Sequence, residues 1–356
     1  MSNASWYGAA VAIPFAAIAA NSSSDYLRQL DATAAVNERN IVIENLIGDA
    51  EVLPAAGDVT QVMATIHVAG GDDKVAAEMA QSIKLEADGG HIVVRYPDVH
   101  DICALPGKSR SSTNTSTRYL GRSVRIETGT TAGRCVRVDL VVHLPSGREL
   151  TLKSHVGQIE AHDINGNLML DTGSGSITVA KHLGSLDLDT GSGDVTVNGA
   201  RGKILIDTGS GDVQVTNGIG RTYVDTGSGD VKLSGTRGDV RVDTGSGDVA
   251  LSDFAEGSDL DIDTGSGDAV VDGDLSQLRR LRVDTGNGDI KLATRTAVSL
   301  ELEADSGSGR VTIDVPGARV RQTERSHAEA TLGEGAGRGK LDAGSGSIEF
   351  RQAPAH

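Results

Sequence analysis

Apolar and polar residues alternate with a period of two over most of the second half of the chain. Around each Asp-Thr-Gly tripeptide, apolar residues stand one and three positions before the Asp and six and eight positions after it. Leu186 and Leu188 precede Asp189 in this way, and Val195 and Val197 follow it. This alternation predicts a short β-strand with one buried face on each side of the tripeptide. The Thr-Gly-Ser-Gly-Asp run between the strands predicts a tight turn.

The strand–turn–strand unit recurs at a nearly constant spacing. The tripeptides from Asp171 to Asp243 follow one another at equal intervals, and the later intervals are slightly longer. One unit cannot bury its apolar face alone, whereas stacked copies place Val on Val and Leu on Leu. Residues 151–350 are therefore predicted to form an all-β solenoid, a parallel β-helix with turns of about 18 residues. The tripeptides begin at Asp171, Asp189, Asp207, Asp225, Asp243, Asp263 and Asp284.

The first part of the chain predicts a cap for this solenoid. Residues 40–69 contain strand-like runs broken by Gly and Pro, so that residues 36–150 form a β-rich cap region within one domain, 36–350. Residues 98–133 break the pattern with a Ser- and Thr-rich run and scattered Arg, which indicates a long inserted surface loop. The final residues, 351–356, are predicted to be a tail.

One short helix is predicted inside the cap. The run DDKVAAEMAQSIK over residues 72–84 has helical spacing of its apolar residues, and Gly71 or Asp72 is expected to cap it. The residues expected to share its buried face are Val75, Met79 and Ile83.

The N-terminal segment, 1–35, resembles a secretory signal followed by a flexible stretch. Residues 6–20 form an apolar run that ends in small residues before a polar segment, although the preceding residues carry no Lys or Arg. No run reaches the roughly 18 apolar residues of a spanning helix, so no transmembrane segment is predicted. These features favour an extracytoplasmic location, with a cytoplasmic one as the alternative.

The composition agrees with this architecture and limits the classes of partner that the chain is expected to bind. The chain has 356 residues, of which 46 are Gly and only 9 are aromatic, and small solenoid interiors need few aromatic side chains. The formal net charge of −16 argues against a nucleic-acid partner, which would require clustered Lys and Arg. The two cysteines, Cys103 and Cys135, either form one disulfide in an oxidising compartment or are two small buried residues.

The repeat also predicts two rows of carboxylates. The first row contains the tripeptide Asp residues and continues from Asp284 to Asp305 as the next rung. Neighbouring rungs lie about 4.8 Å apart, and at that distance like charges repel each other by about 1 kcal/mol in water. Either each carboxylate accepts backbone N–H groups in its own turn, or Ca²⁺ lies between rungs. The candidate calcium row is Asp194, Asp212, Asp230, Asp248, Asp268 and Asp289.

The sequence offers no catalytic constellation. Aspartic proteases share the Asp-Thr-Gly signature, but they need two Asp that share one proton, and seven copies at solenoid spacing build a row instead. The nine His show no paired zinc-binding spacing, and no nucleophile elbow is present. The Thr of each tripeptide is expected to point inward, with its hydroxyl bonded along the stack. No cofactor is predicted, apart from the calcium option.

Three segments together resemble the DUF4097 family of adhesin domains. They are NIVIENLIGDAEV, VDLVVHLPSGRELTLKSHVGQIEA and the repeated LDTGSGSITV and LDTGSGDVTV, and the likeness covers residues 36–350. The resemblance implies a right-handed single-stranded β-helix that is exported or tethered to a bacterial envelope. It implies no catalytic residues. The segment 98–133 departs from the family pattern.

These observations favour a non-enzymatic, adhesin-like envelope or surface protein that acts as a rigid scaffold or binding surface. Its partners are expected among cell-surface or envelope components, and end-to-end self-stacking is a further option because a solenoid exposes strand edges. One alternative is a polysaccharide-acting lyase or glycosidase, whose carboxylates would line an exterior groove. Another is a calcium-stabilised structural module.

Overall fold

The computed structural model describes residues 30–69, 73–97, 101–104, 114–128 and 135–353. The predicted signal-like run 6–20 and the predicted helix cap lie outside these residues. The chain divides into two compact units, Met1–Gly175 and Ser176–His356. The prediction of one domain over 36–350 stays a prediction.

The first unit contains thirteen strands and one helix in its described part. Most of these strands alternate in burial, as the period-2 pattern predicts, whereas β5 and β6 do not. They are β1 (Leu30–Val36), β2 (Asn40–Ile47), β3 (Ala50–Pro54), β4 (Thr60–Ala69), β5 (Lys84–Asp88), β6 (His91–Arg95), β7 (Asp101–Ala104), β8 (Asn114–Tyr119), β9 (Arg122–Thr128), β10 (Cys135–Leu144), β11 (Arg148–Val156), β12 (Ile159–His162) and β13 (Gly166–Ser174). The helix is α1 (Asp73–Ser82).

Parallel pairing already organises part of the first unit. β11 lies between β2 and β13 and is parallel to both, with Lys153 opposite Asp171. β10 is antiparallel to β4 but parallel to β3, and β3 in turn is parallel to β12. Antiparallel strands β1 and β5 flank these parallel sets.

The predicted helix forms, but its buried face differs from the expected one. Ala76, Ala80 and the following Ile83 are buried, whereas Val75 and Met79 are only partly covered. The two small Ala side chains lie on a neighbouring helical row and allow a closer approach of the helix to the underlying strands. Residues 30–36 correct a second expectation, because they form β1 rather than part of a flexible N-terminal segment.

The prediction of a surface loop over 98–133 is wrong in the described part of that segment. Residues 101–104 form β7, and residues 114–128 form the hairpin β8–β9, which pairs through β7 with β10. Tyr119 explains why the hairpin is held in place. Its ring is 5% exposed, and its hydroxyl donates to the carbonyl oxygen of Val94 at 2.6 Å. The polar run 105–113 lies outside the described residues.

The second unit contains the strands of the repeat. One set begins each coil: β15 (Leu186–Thr190), β17 (Ile204–Thr208), β19 (Thr222–Thr226), β21 (Val240–Thr244), β23 (Asp259–Thr264), β25 (Arg280–Thr285), β27 (Leu300–Ser306) and β31 (Gly337–Ala343). The other set is β14 (Ile177–Leu183), β16 (Val195–Arg201), β18 (Val213–Thr216), β20 (Val231–Ser234), β22 (Val249–Phe254), β24 (Ala269–Gly273), β26 (Ile290–Thr294), β28 (Val311–Asp314) and β32 (Ile348–Gln352). A hairpin, β29 (Arg319–Glu324) and β30 (His327–Leu332), completes the unit.

Each set forms a parallel sheet whose register follows the repeat. β15 pairs with β17 so that Leu186 faces Ile204 and Asp189 faces Asp207, an offset of one repeat. The inward residues are almost fully covered, since Leu188 and Val195 are both 0% exposed. Stacked aliphatic side chains therefore form the core of this unit, as the β-solenoid-like pattern predicts.

The last coil departs from chain order. β31 lies between β25 and β27, and β32 lies between β26 and β28. Asp342 therefore stands next to Asp284, and Asp305 stands beyond it, so the expectation that Asp305 is the next rung is wrong. The physical reason is that both variants carry the same strand–turn–strand pattern, so either can pair with β25 and β26. β32 also extends to Gln352, so residues 351 and 352 belong to a strand and not to a tail.

Candidate functional site

The second carboxylate row is the candidate calcium row from Asp194 to Asp289, and its side chains stabilise the turns. Each of its members except Asp289 accepts the backbone N–H of the equivalent Asp in the next coil through Oδ1, at 2.8–3.0 Å. Asp289 ends the row and accepts the N–H of Ser347 at 2.8 Å. Hydrogen bonds to the charged form offset repulsion between rungs. The expected capping thus runs between neighbouring coils and not within each Asp's own turn.

This bonding bears on the calcium prediction. Each of these carboxylates already gives one oxygen to a backbone N–H, and the Asp289–Ser347 bond is the main reason why the pKa of Asp289 is lowered. Across the described ranges, no three His, Cys, Asp or Glu side chains converge in a group that could hold a metal ion. Calcium between the rungs stays a prediction.

The inward Thr row is bonded differently from the expectation. Thr208, Thr244 and Thr264 are about 1% exposed, in agreement with the inward orientation. Their hydroxyls donate to carbonyl oxygens of turn glycines in the preceding coil, at 3.3, 3.4 and 3.0 Å. These three hydroxyls therefore do not bond to one another, and the buried hydroxyl of Thr226 has no hydrogen-bond partner among the described residues.

The first carboxylate row lies on the outer face of the sheet that contains β15 to β25. Asp189, Asp207, Asp225, Asp243, Asp263 and Asp284 face one another strand by strand. Partial burial and then the charges of Asp225 and Asp263 raise the pKa of the Asp243 carboxyl above its usual range. The repulsion expected from the sequence therefore acts at Asp243.

Cations of the chain neutralise this row at one end of the second unit. Arg282 lies 3.3 Å from both Asp261 and Asp263 and 3.0 Å from Asp284. Further along, Lys340 contacts Asp342 at 3.3 Å, and His327 contacts Asp305. Elsewhere on this face, by contrast, the described residues provide no Lys, Arg or His within 4.0 Å of four carboxylates, those of Asp187, Asp207, Asp225 and Asp243.

A half-open cavity of about 330 Å³ lies over this unneutralised part of the face. Tyr223 lines this cavity, and its half-buried side chain has the Nζ of Lys203 at 5.8 Å from the ring centroid. The other aromatic side chains in the described residues, those of Tyr96, Tyr119, Phe254 and Phe350, are at most 8% exposed. The cavity is lined by Asp187, Leu205, Ile206, Asp207, Tyr223, Val224, Asp225, Arg241 and Asp243.

The sequence reasoning identified Asp207, Asp225 and Asp243 but missed Leu205, Tyr223 and Arg241. These three residues occupy the outward position two residues before the carboxylate row, where the repeat shows no fixed residue type. The available signal was a large apolar or aromatic residue at an outward position of an alternating strand, where polar residues are expected.

The structure joins the two cysteines as a disulfide between β7 and β10. Cys103 and Cys135 are also register partners in that parallel pair. No catalytic role is assigned to them, because a disulfide holds both sulfur atoms.

No helix in the described ranges is long and apolar enough to cross a membrane, since α1 has 10 residues. Among curated protein sequences, none matches this chain.

Several solved structures share a general likeness with the chain. One is described as a putative adhesin from Parabacteroides distasonis, with 11% identity, 91% of this chain and 97% of that chain covered, and a TM-score of 0.37. Another is a putative lipid binding protein from the same organism, with 10% identity, coverage of 89% and 96%, and a TM-score of 0.33. A putative cell adhesion protein from Clostridium sporogenes has 10% identity, coverage of 92% and 100%, and a TM-score of 0.22. At these scores the likeness assigns neither a ligand nor a fold detail.

The family comparison is more informative. The family model described as Toastrack DUF4097 matches residues 111–253 and 181–351, which together exceed half of the chain. These ranges include β8, the disulfide-linked β10 and the whole of the repeat. The chain therefore belongs to the Toastrack DUF4097 family.

Proposed function

We propose that this chain is a non-enzymatic, adhesin-like surface protein that acts outside the cytoplasm as a rigid scaffold and binding surface. Its repeat forms a right-handed parallel β-helix with coils of about 18 residues. Family membership and the parallel register at that offset support this architecture.

One observation carries the binding part of the proposal, namely the cavity around Tyr223. A half-buried aromatic ring on an otherwise polar strand face costs hydration and adds nothing to the core. The neighbouring carboxylates of Asp207 and Asp225 have no cation from the described chain within 4.0 Å. A cavity of about 330 Å³ with an apolar floor and convergent polar groups is the usual form of a small binding site.

The disulfide supports the location. Disulfides persist in oxidising compartments and are rare in the cytosol of mesophilic cells. The bond between Cys103 and Cys135 ties β7, and with it the hairpin β8–β9, to β10. A surface protein benefits from such a crosslink because it constrains the unfolded chain.

The test uses native cells and a strain that lacks the chain. Fractionation and digestion with a protease that cannot enter cells should find the protein outside the cytoplasm, and thiol labelling should find both cysteines oxidised. The deletion strain should attach less well than its parent to the surfaces that the parent colonises. Cytosolic protein with free thiols, together with unchanged attachment, would contradict the proposal.

A further inference from the structure

An apolar strip forms the floor of the cavity around Tyr223. Leu205 and Tyr223 are register partners on adjacent strands, and Asp187 and Arg241 are the next residues of the same row on either side. Across four adjacent strands this row therefore contains a carboxylate, an aliphatic side chain, an aromatic side chain and a guanidinium group, in that order. Because adjacent strands lie about 4.8 Å apart, the two central side chains give a strip roughly 5 Å long between a negative end and a positive end.

Carboxylates flank this strip along one side. Asp207 and Asp225 are exposed and stand two residues after Leu205 and Tyr223 on their strands, so they project from the same face of the sheet. Asp263 occupies the same position in its own tripeptide, yet it pairs with Arg282 at 3.3 Å. The unneutralised charge in the cavity is therefore a local feature and not a consequence of the repeat.

The charge balance of the cavity lining selects the ligand. The lining contains four Asp and one Arg, so it favours a cationic occupant. Lys203, which is not part of the lining, has its Nζ 5.8 Å from the centroid of the Tyr223 ring, so this ring already interacts with one cation of the chain. An anionic or purely apolar ligand would leave the carboxylates unneutralised.

We propose that the cavity binds a linear aliphatic polyamine. Its methylene segments lie on Leu205 and the ring of Tyr223, and its ammonium groups bond to the carboxylates of Asp187, Asp207 and Asp225. Charge-assisted hydrogen bonds of this kind are stronger than neutral ones. The inference rests on the proposed function, since it names the ligand class of the same face.

The experiment is a calorimetric titration of the full chain with spermine, at low and at physiological ionic strength. We expect one saturable site that weakens as salt increases. Tyr223→Ala and Asp225→Asn should each weaken binding by roughly 5- to 30-fold, because the first removes the ring that covers the methylene segments and the second removes the charge of one ammonium partner. Asp263→Asn is the matched control at the equivalent tripeptide position and should change the affinity by less than about twofold. Thermal melts of each variant verify that the fold is retained.

Three outcomes would overturn the inference. The first is that spermine gives no saturable heat. The second is that Asp263→Asn weakens binding as much as Asp225→Asn does. The third is that a tri-lysine peptide binds more tightly than spermine. The first two mean general screening of an acidic surface, and the third means a peptide site. If any of these occurs while Tyr223→Ala still impairs attachment of native cells, the polyamine inference fails and the proposed function stands.

Discussion

At the scale of single residues, the turns of the repeat depend on glycines that approach the backbone of the neighbouring coil. Gly211 has a φ of +153°, and a Cβ at this position would lie 2.1 Å from the carbonyl oxygen of Gly193. The coils can stack at strand spacing only because this atom is missing. The glycine content noted in the sequence thus has a steric cause.

The first prediction concerns Gly211→Ala. The added methyl group must displace a backbone carbonyl, and we expect a loss of stability of about 1–3 kcal/mol. The lowered midpoint of urea denaturation measures this loss. Gly57→Ala is the control, since a Cβ there meets no atom within 4 Å. Equal midpoints for the two variants would contradict the close-approach explanation.

Asp212 tests the structural role of the second carboxylate row. Its Oδ1 accepts the N–H of Asp230 at 2.9 Å. Asp212→Ala leaves that N–H without its partner and should cost about 1–2 kcal/mol, whereas Asp212→Asn keeps an acceptor oxygen and should cost less. Thermal melts with EDTA and with added Ca²⁺ complete the comparison. If the Asn variant loses as much as the Ala variant, and Ca²⁺ raises the melting temperature of the wild type alone, the row serves calcium instead.

His182 predicts a pH dependence of stability. Its side chain is 2% exposed, and burial lowers its pKa from 6.5 to about 4. Between these pH values the unfolded chain binds more protons than the folded one, so the stability is complete above about pH 6.5 and falls as the pH decreases toward 4. The slope should not exceed about 1.4 kcal/mol per pH unit. Carboxylates titrate in the same range, so the wild type must be compared with His182→Leu, whose stability should fall less steeply over this interval. Parallel curves would mean that His182 does not titrate as described.

At the scale of elements, the sequence predicts which segments become strands better than it predicts their neighbours. The alternation around Asp189 and Asp207 determines both the strands and their register, because a shift by one residue would expose Leu186 and Leu188. The variants at Asp305 and Asp342 carry equivalent patterns, so nothing in the pattern shows which of them pairs with β25. The hairpin β8–β9 was missed for a related reason, since its strands bury only three large side chains, those of Tyr119, Val124 and Ile126, among many polar residues.

The candidate site was only half predictable for a similar physical reason. Repetition marks the residues that recur, and these are the carboxylates of the row. Leu205, Tyr223 and Arg241 differ from coil to coil, and only the register places them side by side. Pairing of Arg282 with Asp263 and Asp284 likewise depends on side-chain reach, which the spacing alone does not specify.

The inserted position of β31 and β32 gives a prediction at this scale. Removal of residues 333–356 deprives β27 and β28 of the parallel neighbours that connect them to β25 and β26. We therefore expect residues 300–332 to become accessible to protease and to fast amide exchange. Removal of residues 354–356 is the control and should leave the exchange of this segment unchanged. Unaltered protection of β27 in the longer truncation would show that it pairs directly with β25.

At the scale of the whole molecule, the formal net charge of −16 is distributed unevenly over the repeat. Arg282 and Lys340 pair with carboxylates near the C-terminal end of the second unit, His327 contacts Asp305, and the carboxylates in the turns accept backbone N–H groups. The carboxylates beside Tyr223 have no such cation within 4.0 Å among the described residues. The proposed binding function would account for the half-buried aromatic ring on this outer face.

Attachment of native cells that carry single substitutions tests this central claim most directly. The comparison uses Tyr223→Ala and, as a control in the same unit, Val270→Ala, whose side chain is 38% exposed on the other sheet. With equal amounts of each protein at the cell surface, we predict that Tyr223→Ala lowers attachment toward the level of the deletion strain, whereas Val270→Ala leaves it unchanged. Attachment of the Tyr223→Ala strain at the wild-type level would contradict the claim that this face is the binding surface.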